Sequence, residues 1–167
     1  MVGMVHGLPT HPFLAHLVAA LVPLAALLAI LAVVWPAARR RIGAIPLFVA
    51  TAALLLVPLT TAAGGTLRAQ VMMGGAVLSR HVTLGGQVIV WVALLTIALT
   101  CWWALHTPIF AGTVGAVAPA ARRIGATGAG AATLLFALAC VWSTVRAGDS
   151  GTQAVWGTLP CCAGMAM

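Results

Sequence analysis

The sequence predicts an all-α protein, an integral membrane bundle of four transmembrane helices, and three observations support this. Of its 167 residues, 63% are hydrophobic, Asp149 is the only acidic residue, and all eight basic residues are arginine. Four apolar stretches are each long enough to cross a hydrocarbon core, which takes roughly 17–25 helical residues. Helices are expected because lipid offers no hydrogen bonds to the backbone, and a helix satisfies its own.

The first predicted span covers residues 12–35 and the second covers residues 44–62. Pro12 suits the first turn of a helix, where the missing N–H has no intrahelical partner to lose. The Gly64–Gly65 pair is expected to end the second span. Residues 66–80 are then expected to run along the membrane surface as a short helix.

The third predicted span covers residues 82–103 and the fourth covers residues 124–145, leaving residues 146–167 as a polar tail. The fourth begins with GATGAGAAT, and small residues of this kind let helix backbones approach one another closely. The whole chain, 1–167, is therefore interpreted as a single four-helix domain.

The arginines predict the orientation in the membrane. Arg39, Arg40 and Arg41 follow the first span, and Arg122 and Arg123 precede the fourth. The other side has fewer arginines, so the positive-inside rule places both termini outside. The chain has no polar surface large enough for nucleic acid, so we interpret the arginines as topology signals and lipid-headgroup contacts.

Three histidines are candidate ligands near the outer face. His16 lies about one turn inside the first span, and an ionisable residue there is a functional candidate by default. His81 opens the third span and faces His16 if those two helices pack together. His11 is the third candidate, although it lies about 140° from His16 around an ideal helix.

Several interpretations of these histidines remain open. Neutral imidazoles on facing helices ligate haem iron, here haem b, and three histidines also suit copper or zinc. Alternatively, His16 hydrogen-bonds a backbone carbonyl and only fixes helix packing. Asp149 either orients a ligating imidazole by accepting a hydrogen bond from its other ring nitrogen or forms a surface ion pair with Arg146 or Arg80.

The C-terminal tail contains adjacent cysteines, Cys161 and Cys162, followed by Met165 and Met167. Soft sulfur ligands suit Cu(I), so the tail is either a docking segment for copper or a disordered terminus. The sequence contains no P-loop, no dinucleotide fingerprint and no paired carboxylates. No catalytic residue is therefore predicted, and a non-enzymatic role is favoured.

Four segments, GLPTHPFLAH, TTAAGGTL, RHVTLGG and GDSGTQAVWG, together resemble a family of small bacterial four-helix membrane proteins. That family is a domain of unknown function common in actinobacteria. Its HPxxxH start matches His11, Pro12 and His16, and its third-span histidine matches His81. The resemblance implies the bacterial inner membrane. Because relatives are sometimes fused to redox proteins or encoded near them, it also implies haem in preference to other metals.

The chain departs from this family at two positions. Relatives often carry an acidic residue where Gly65 stands and another where Gly86 stands. If those carboxylates orient the histidines, the resemblance implies that this chain has an altered site.

The leading hypothesis is an electron-transfer role with haem or a metal held near the outer face by His16 and His81. The rival hypothesis is a cofactor-free structural or assembly subunit, and a small-solute channel is the third. Besides the lipid bilayer, the expected partner is a membrane redox protein or a second copy of the chain in a homo-oligomer.

Overall fold

The computed structural model describes residues 4–5, 7–71, 75–107 and 118–157. The helices are α1 (Thr10–Val34), α2 (Pro36–Ile42), α3 (Ile45–Val71), α4 (Ala76–His106) and α5 (Pro119–Trp156). Two short strands, β1 (Met4–Val5) and β2 (Leu8–Pro9), pair in antiparallel fashion before α1. All helices except α2 are long and apolar enough to cross a membrane. The all-α, four-helix prediction is confirmed, and the chain is a multi-pass membrane protein.

The helices extend beyond the predicted spans. The Gly64–Gly65 pair does not end the second helix, because α3 continues through it to Val71. The predicted surface segment is also wrong, since residues 66–71 belong to α3 and residues 76–80 to α4. Glycine weakens a helix by only about 1 kcal/mol relative to alanine, so a glycine pair does not by itself end one. Hydropathy marks where a helix leaves the lipid, and the backbone hydrogen bonds continue past that point.

The four long helices form a ring in which each packs against two neighbours. Going round the bundle, α1 packs on α3, α3 on α4, α4 on α5, and α5 on α1. The helices α1 and α4 therefore lie diagonally opposite and run in the same direction. Two antiparallel hairpins result, α1–α3 and α4–α5, and both begin at the same end of the bundle.

The two hairpins bury equivalent positions. On α1 and α4 the matched buried residues, at a constant spacing along the chain, are Val18 and Val88, Val22 and Val92, Ala25 and Leu95, Ala29 and Leu99, and Ala32 and Trp102. On α3 and α5 they are Ala50 and Ala137, Ala53 and Cys140, Val57 and Thr144, Thr60 and Ala147, and Ala63 and Ser150. The chain is thus an internal repeat whose halves are related by an approximate twofold axis along the bundle, as in parallel-repeat membrane proteins.

Residue size differs between the repeats. Alanines on α1 stand where α4 carries Leu95, Leu99 and Trp102, and the two leucines are among the largest fully buried side chains. Small residues facing large ones fill a core without voids. The axis therefore relates the positions that are buried in the two halves. It does not relate side-chain size, because α1 carries small residues where α4 carries large ones.

Candidate metal centre

Two histidines meet across the bundle at the end where both hairpins begin, which we call the histidine end. His11 is the second residue of α1, and His81 lies in the second turn of α4. Their ring centroids are 6.3 Å apart and their planes are inclined at 78°. Both residues are half-buried. Diagonal helices, which otherwise touch only sparsely, thus bring two imidazoles into contact.

Each imidazole is anchored by a backbone carbonyl of the partner helix in its own hairpin. The Nδ1–H of His11 donates to the carbonyl oxygen of Thr60 at 2.9 Å. The Nδ1–H of His81 donates to the carbonyl oxygen of Ala147 at 3.0 Å and lies 3.2 Å from the Oγ of Ser150. A carbonyl only accepts, so Nδ1 carries the proton in each ring and a neutral imidazole keeps its lone pair on Nε2.

Histidines that ligate metals commonly share this arrangement. A ligating imidazole nearly always donates its other N–H to a carbonyl or a carboxylate, which fixes the ring orientation and raises its basicity. Among the described residues, none hydrogen-bonds the Nε2 of His11 or of His81. The structure therefore provides two oriented nitrogen donors with unused lone pairs.

A glycine makes room for each ring. A Cβ at Gly64 would lie 2.9 Å from Cε1 and Nδ1 of His11, and a Cβ at Gly151 would lie 2.9 Å from Cε1 of His81. Such contacts are shorter than packed atoms tolerate, so a larger residue at either position would force the ring to move. Each glycine follows the accepting carbonyl, of Thr60 or Ala147, by one helical turn. The same carbonyl-and-glycine cradle is therefore built twice, once in each hairpin.

His16 lies apart from this pair. It is exposed, and its Nδ1–H donates to the carbonyl oxygen of Pro12 one turn earlier, at 2.6 Å. This matches the alternative in which His16 hydrogen-bonds a backbone carbonyl. The structure pairs His81 with His11, the third candidate from the sequence, because the ring of His11 points across the bundle from the first turn of α1.

Asp149 does not contact the histidine pair through its carboxylate. It is exposed, and its Oδ2 accepts a hydrogen bond from the Nε2 of Gln153 at 3.0 Å. Ser150 takes the place beside His81 that Asp149 was expected to occupy. A Cβ at Gly65 or Gly86 would meet nothing within 4 Å. The sulfur-containing tail, residues 161–167, lies outside the described residues.

The donor set limits which metal would fit. Within the described residues, no group of three or more histidine, cysteine or acidic side chains gathers in one place. Zinc normally takes at least three protein ligands, so two imidazoles alone suit it poorly. Two imidazoles do suit the axial positions of haem iron or a two-coordinate Cu(I) ion.

The two rings are close enough for both to reach one ion, since their centroids are 6.3 Å apart. Close by on α5, the buried Oγ1 of Thr144 has no hydrogen-bond partner among the described residues. A buried hydroxyl without a hydrogen-bond partner is costly. The hydroxyl of Thr144 is therefore a further polar group near this end whose hydrogen bonding the described residues do not satisfy.

No protein-family model, curated protein or solved structure matches this chain. The resemblance through the HPxxxH start stays a prediction.

Sequence reasoning missed the parts of the site that carry no reactive side chain. The carbonyls of Thr60 and Ala147 cannot be recognised from residue type, because every residue has one. Gly64 and Gly151 were visible in the motifs TTAAGGTL and GDSGTQAVWG, but a glycine inside an apolar helix does not show which ring packs on it. The available signal was the position of both glycines near the C-terminal ends of two long apolar segments. Each of those ends lies next to the start of a helix that carries one of the two histidines.

Proposed function

We propose that this protein is a membrane-embedded electron carrier in which Nε2 of His11 and Nε2 of His81 ligate one redox-active metal, with haem b iron the leading candidate. The observation that supports this most directly is the doubled cradle, which orients both rings through Nδ1 and leaves both Nε2 atoms available. Haem would supply one-electron transfer at this site.

Haem is favoured over copper by the placement of the pair. The rings come from diagonal helices, α1 and α4, so His11 and His81 would hold a haem between the two hairpins. His11 belongs to the first turn of α1, so little of that helix would obstruct a macrocycle at the bundle end. Half-burial of both rings leaves an edge through which a membrane redox partner would exchange electrons. Cu(I) is the second candidate because it accepts two nitrogen ligands.

The test is a visible absorption spectrum with metal analysis on protein purified in mild detergent, from cells supplied with haem and copper. We expect a Soret band, or bound copper without one, in the wild type. His11→Ala and His81→Ala should abolish either signal, because each removes one of two ligands. His16→Ala and His106→Ala are matched controls, since those rings bond carbonyls of their own helices and should leave the signal unchanged.

Two outcomes would contradict the proposal. A colourless, metal-free wild-type protein that is folded and helical by circular dichroism would favour the cofactor-free assembly subunit. Loss of the signal in His16→Ala but not in His11→Ala would instead restore the ligand pair predicted from the sequence.

A further inference from the structure

A separate cavity lies at the opposite end of the bundle, where α1 ends and α5 begins. We call this the arginine end, because Arg39, Arg40, Arg41, Arg122 and Arg123 lie there. The cavity has a volume of about 400 Å³, within the range of about 300–1,000 Å³ typical of small-molecule sites. Its polar lining residues are Arg39, Trp102, His106 and Thr127. None of them takes part in the histidine pair.

The Arg39 guanidinium is held in place but is not neutralised. Its Cζ lies 5.3 Å from the centroid of the Trp102 ring, within the range of a cation–π contact. Arg39 is half-buried, and its guanidinium has no hydrogen-bond acceptor among the described residues. A guanidinium has five N–H donors in a fixed fork that matches phosphate and carboxylate. A partly desolvated, unpaired fork of this kind is a binding group for an anion.

Two further groups line the cavity beside this guanidinium. Trp102 is only 3% exposed, and no described residue accepts a hydrogen bond from its indole N–H. The ring of His106 packs on Trp102 at a centroid distance of 4.4 Å and donates Nδ1–H to the Trp102 carbonyl oxygen at 2.8 Å. The indole N–H of Trp102 is therefore a second donor available to an anion in the cavity.

The charge around the cavity also favours an anion. The single acidic residue of the chain, Asp149, lies on α5 beyond Ala147, at the histidine end. Arg122 is already bound to the carbonyl oxygen of Leu105, at 2.7 Å and 3.1 Å, so it positions α5 against α4. Arg40 and Arg41 are exposed and add to the positive potential. Such a field concentrates anions at the entrance of the cavity.

We propose that this cavity binds the phosphate headgroup of an anionic phospholipid, with Arg39 as its principal ligand. The rest of the wall is apolar, with Val33 and Leu134 lining it, and offers a surface for the upper part of an acyl chain. Because the helices span the bilayer, the cavity at the arginine end lies at the level of lipid headgroups. Clusters of basic residues at this depth are typical of anionic-lipid sites. The proposal is independent of any metal at the histidine end.

The experiment titrates the detergent-solubilised full chain with phosphatidylglycerol and counts bound lipid by native mass spectrometry. Phosphatidylcholine and inorganic phosphate are the two comparison probes. Arg39→Gln is the test variant and Arg40→Gln the matched control, because both remove one charge from neighbouring residues of α2 and only Arg39 lines the cavity. We expect Arg39→Gln to weaken phosphatidylglycerol binding by about tenfold or more, as for loss of a charge-assisted contact, with Arg40→Gln close to wild type.

Circular dichroism and the melting temperature in detergent show whether Arg39→Gln stays folded. Arg39→Lys should restore binding only in part, because lysine keeps the charge without the planar fork. Equal weakening by Arg39→Gln and Arg40→Gln would overturn the proposal in favour of general charge attraction. Equal binding of phosphatidylcholine would also overturn it, and competition by inorganic phosphate at the same concentration would identify a soluble phosphate compound as the ligand instead.

Discussion

At the scale of single residues, the histidine end depends on groups that flank the reactive side chains. Each imidazole is oriented by a main-chain oxygen, and each has a glycine against one edge. The histidines themselves could be predicted as candidate site residues, since an ionisable group within a membrane span is costly and is usually functional. That the ring of His11 contacts His81 could not be predicted, because the ring direction in the first turn of α1 depends on the Thr60 carbonyl, which lies 49 residues away in the chain.

The glycines give a prediction at the residue scale. Gly64→Ala and Gly151→Ala should each displace an imidazole, because the new methyl group would lie 2.9 Å from the ring. We expect loss of bound metal or haem and a lower melting temperature, measured by absorption and by circular dichroism in detergent. The displaced ring would also leave its carbonyl partner, which adds to the loss.

Gly65→Ala and Gly148→Ala are the controls for this prediction. Both positions are helical, and an added Cβ meets nothing within 4 Å at either. They should keep the bound group and gain stability, by up to about 0.8–1.0 kcal/mol from helix propensity. If the four alanine variants behaved alike, the cradle would not be what positions the rings.

At the scale of helices, the four spans were predictable and their ends were not. Hydropathy located every long helix because the bilayer requires an apolar segment of a given length. The extension of α3 through Gly64–Gly65 and of α5 to Trp156 lies beyond the most apolar segments, so hydropathy does not report it. The repeat was also hidden, since it preserves which positions are buried while exchanging alanine for leucine or tryptophan.

The contrast between small and large residues predicts where the bundle is sensitive to mutation. Leu99 on α4 is 1% exposed, whereas Leu138 on α5 is 64% exposed. Leu99→Ala should lower the free energy of unfolding by about 2–5 kcal/mol, because the alanine at the equivalent position of α1 cannot fill the cavity. Leu138→Ala should change it far less, since that side chain lies on the surface of the bundle. Unfolding by denaturing detergent, followed by circular dichroism, measures both, and similar losses would contradict the packing described here.

At the scale of the whole molecule, the two ends differ in chemistry. One carries the paired imidazoles and the other carries the clustered arginines around a cavity. The positive-inside rule then predicts that the arginine end faces the cytoplasm and that both termini lie outside. Length and composition establish that the helices can cross a membrane, whereas orientation depends on the modest excess of arginine on one side.

Orientation can be measured through the tail. A membrane-impermeant maleimide added to intact cells from which any outer membrane has been removed should label Cys161 or Cys162. The variant in which both are replaced by alanine should lose the label, which controls for Cys101 and Cys140 within the helices. Labelling of the tail only after the cells are opened would reverse the orientation, and with it the side on which the proposed carrier meets its partner.

The approximate twofold axis has an evolutionary consequence. Each half of the chain supplies one imidazole, one accepting carbonyl and one glycine, so neither half contains a complete ligand pair. A half-length ancestor would have completed such a pair only by self-association, with two identical subunits meeting at their equivalent histidines. Gene duplication and fusion would make that association permanent, and would free the two copies to specialise in side-chain volume as α1 and α4 have done.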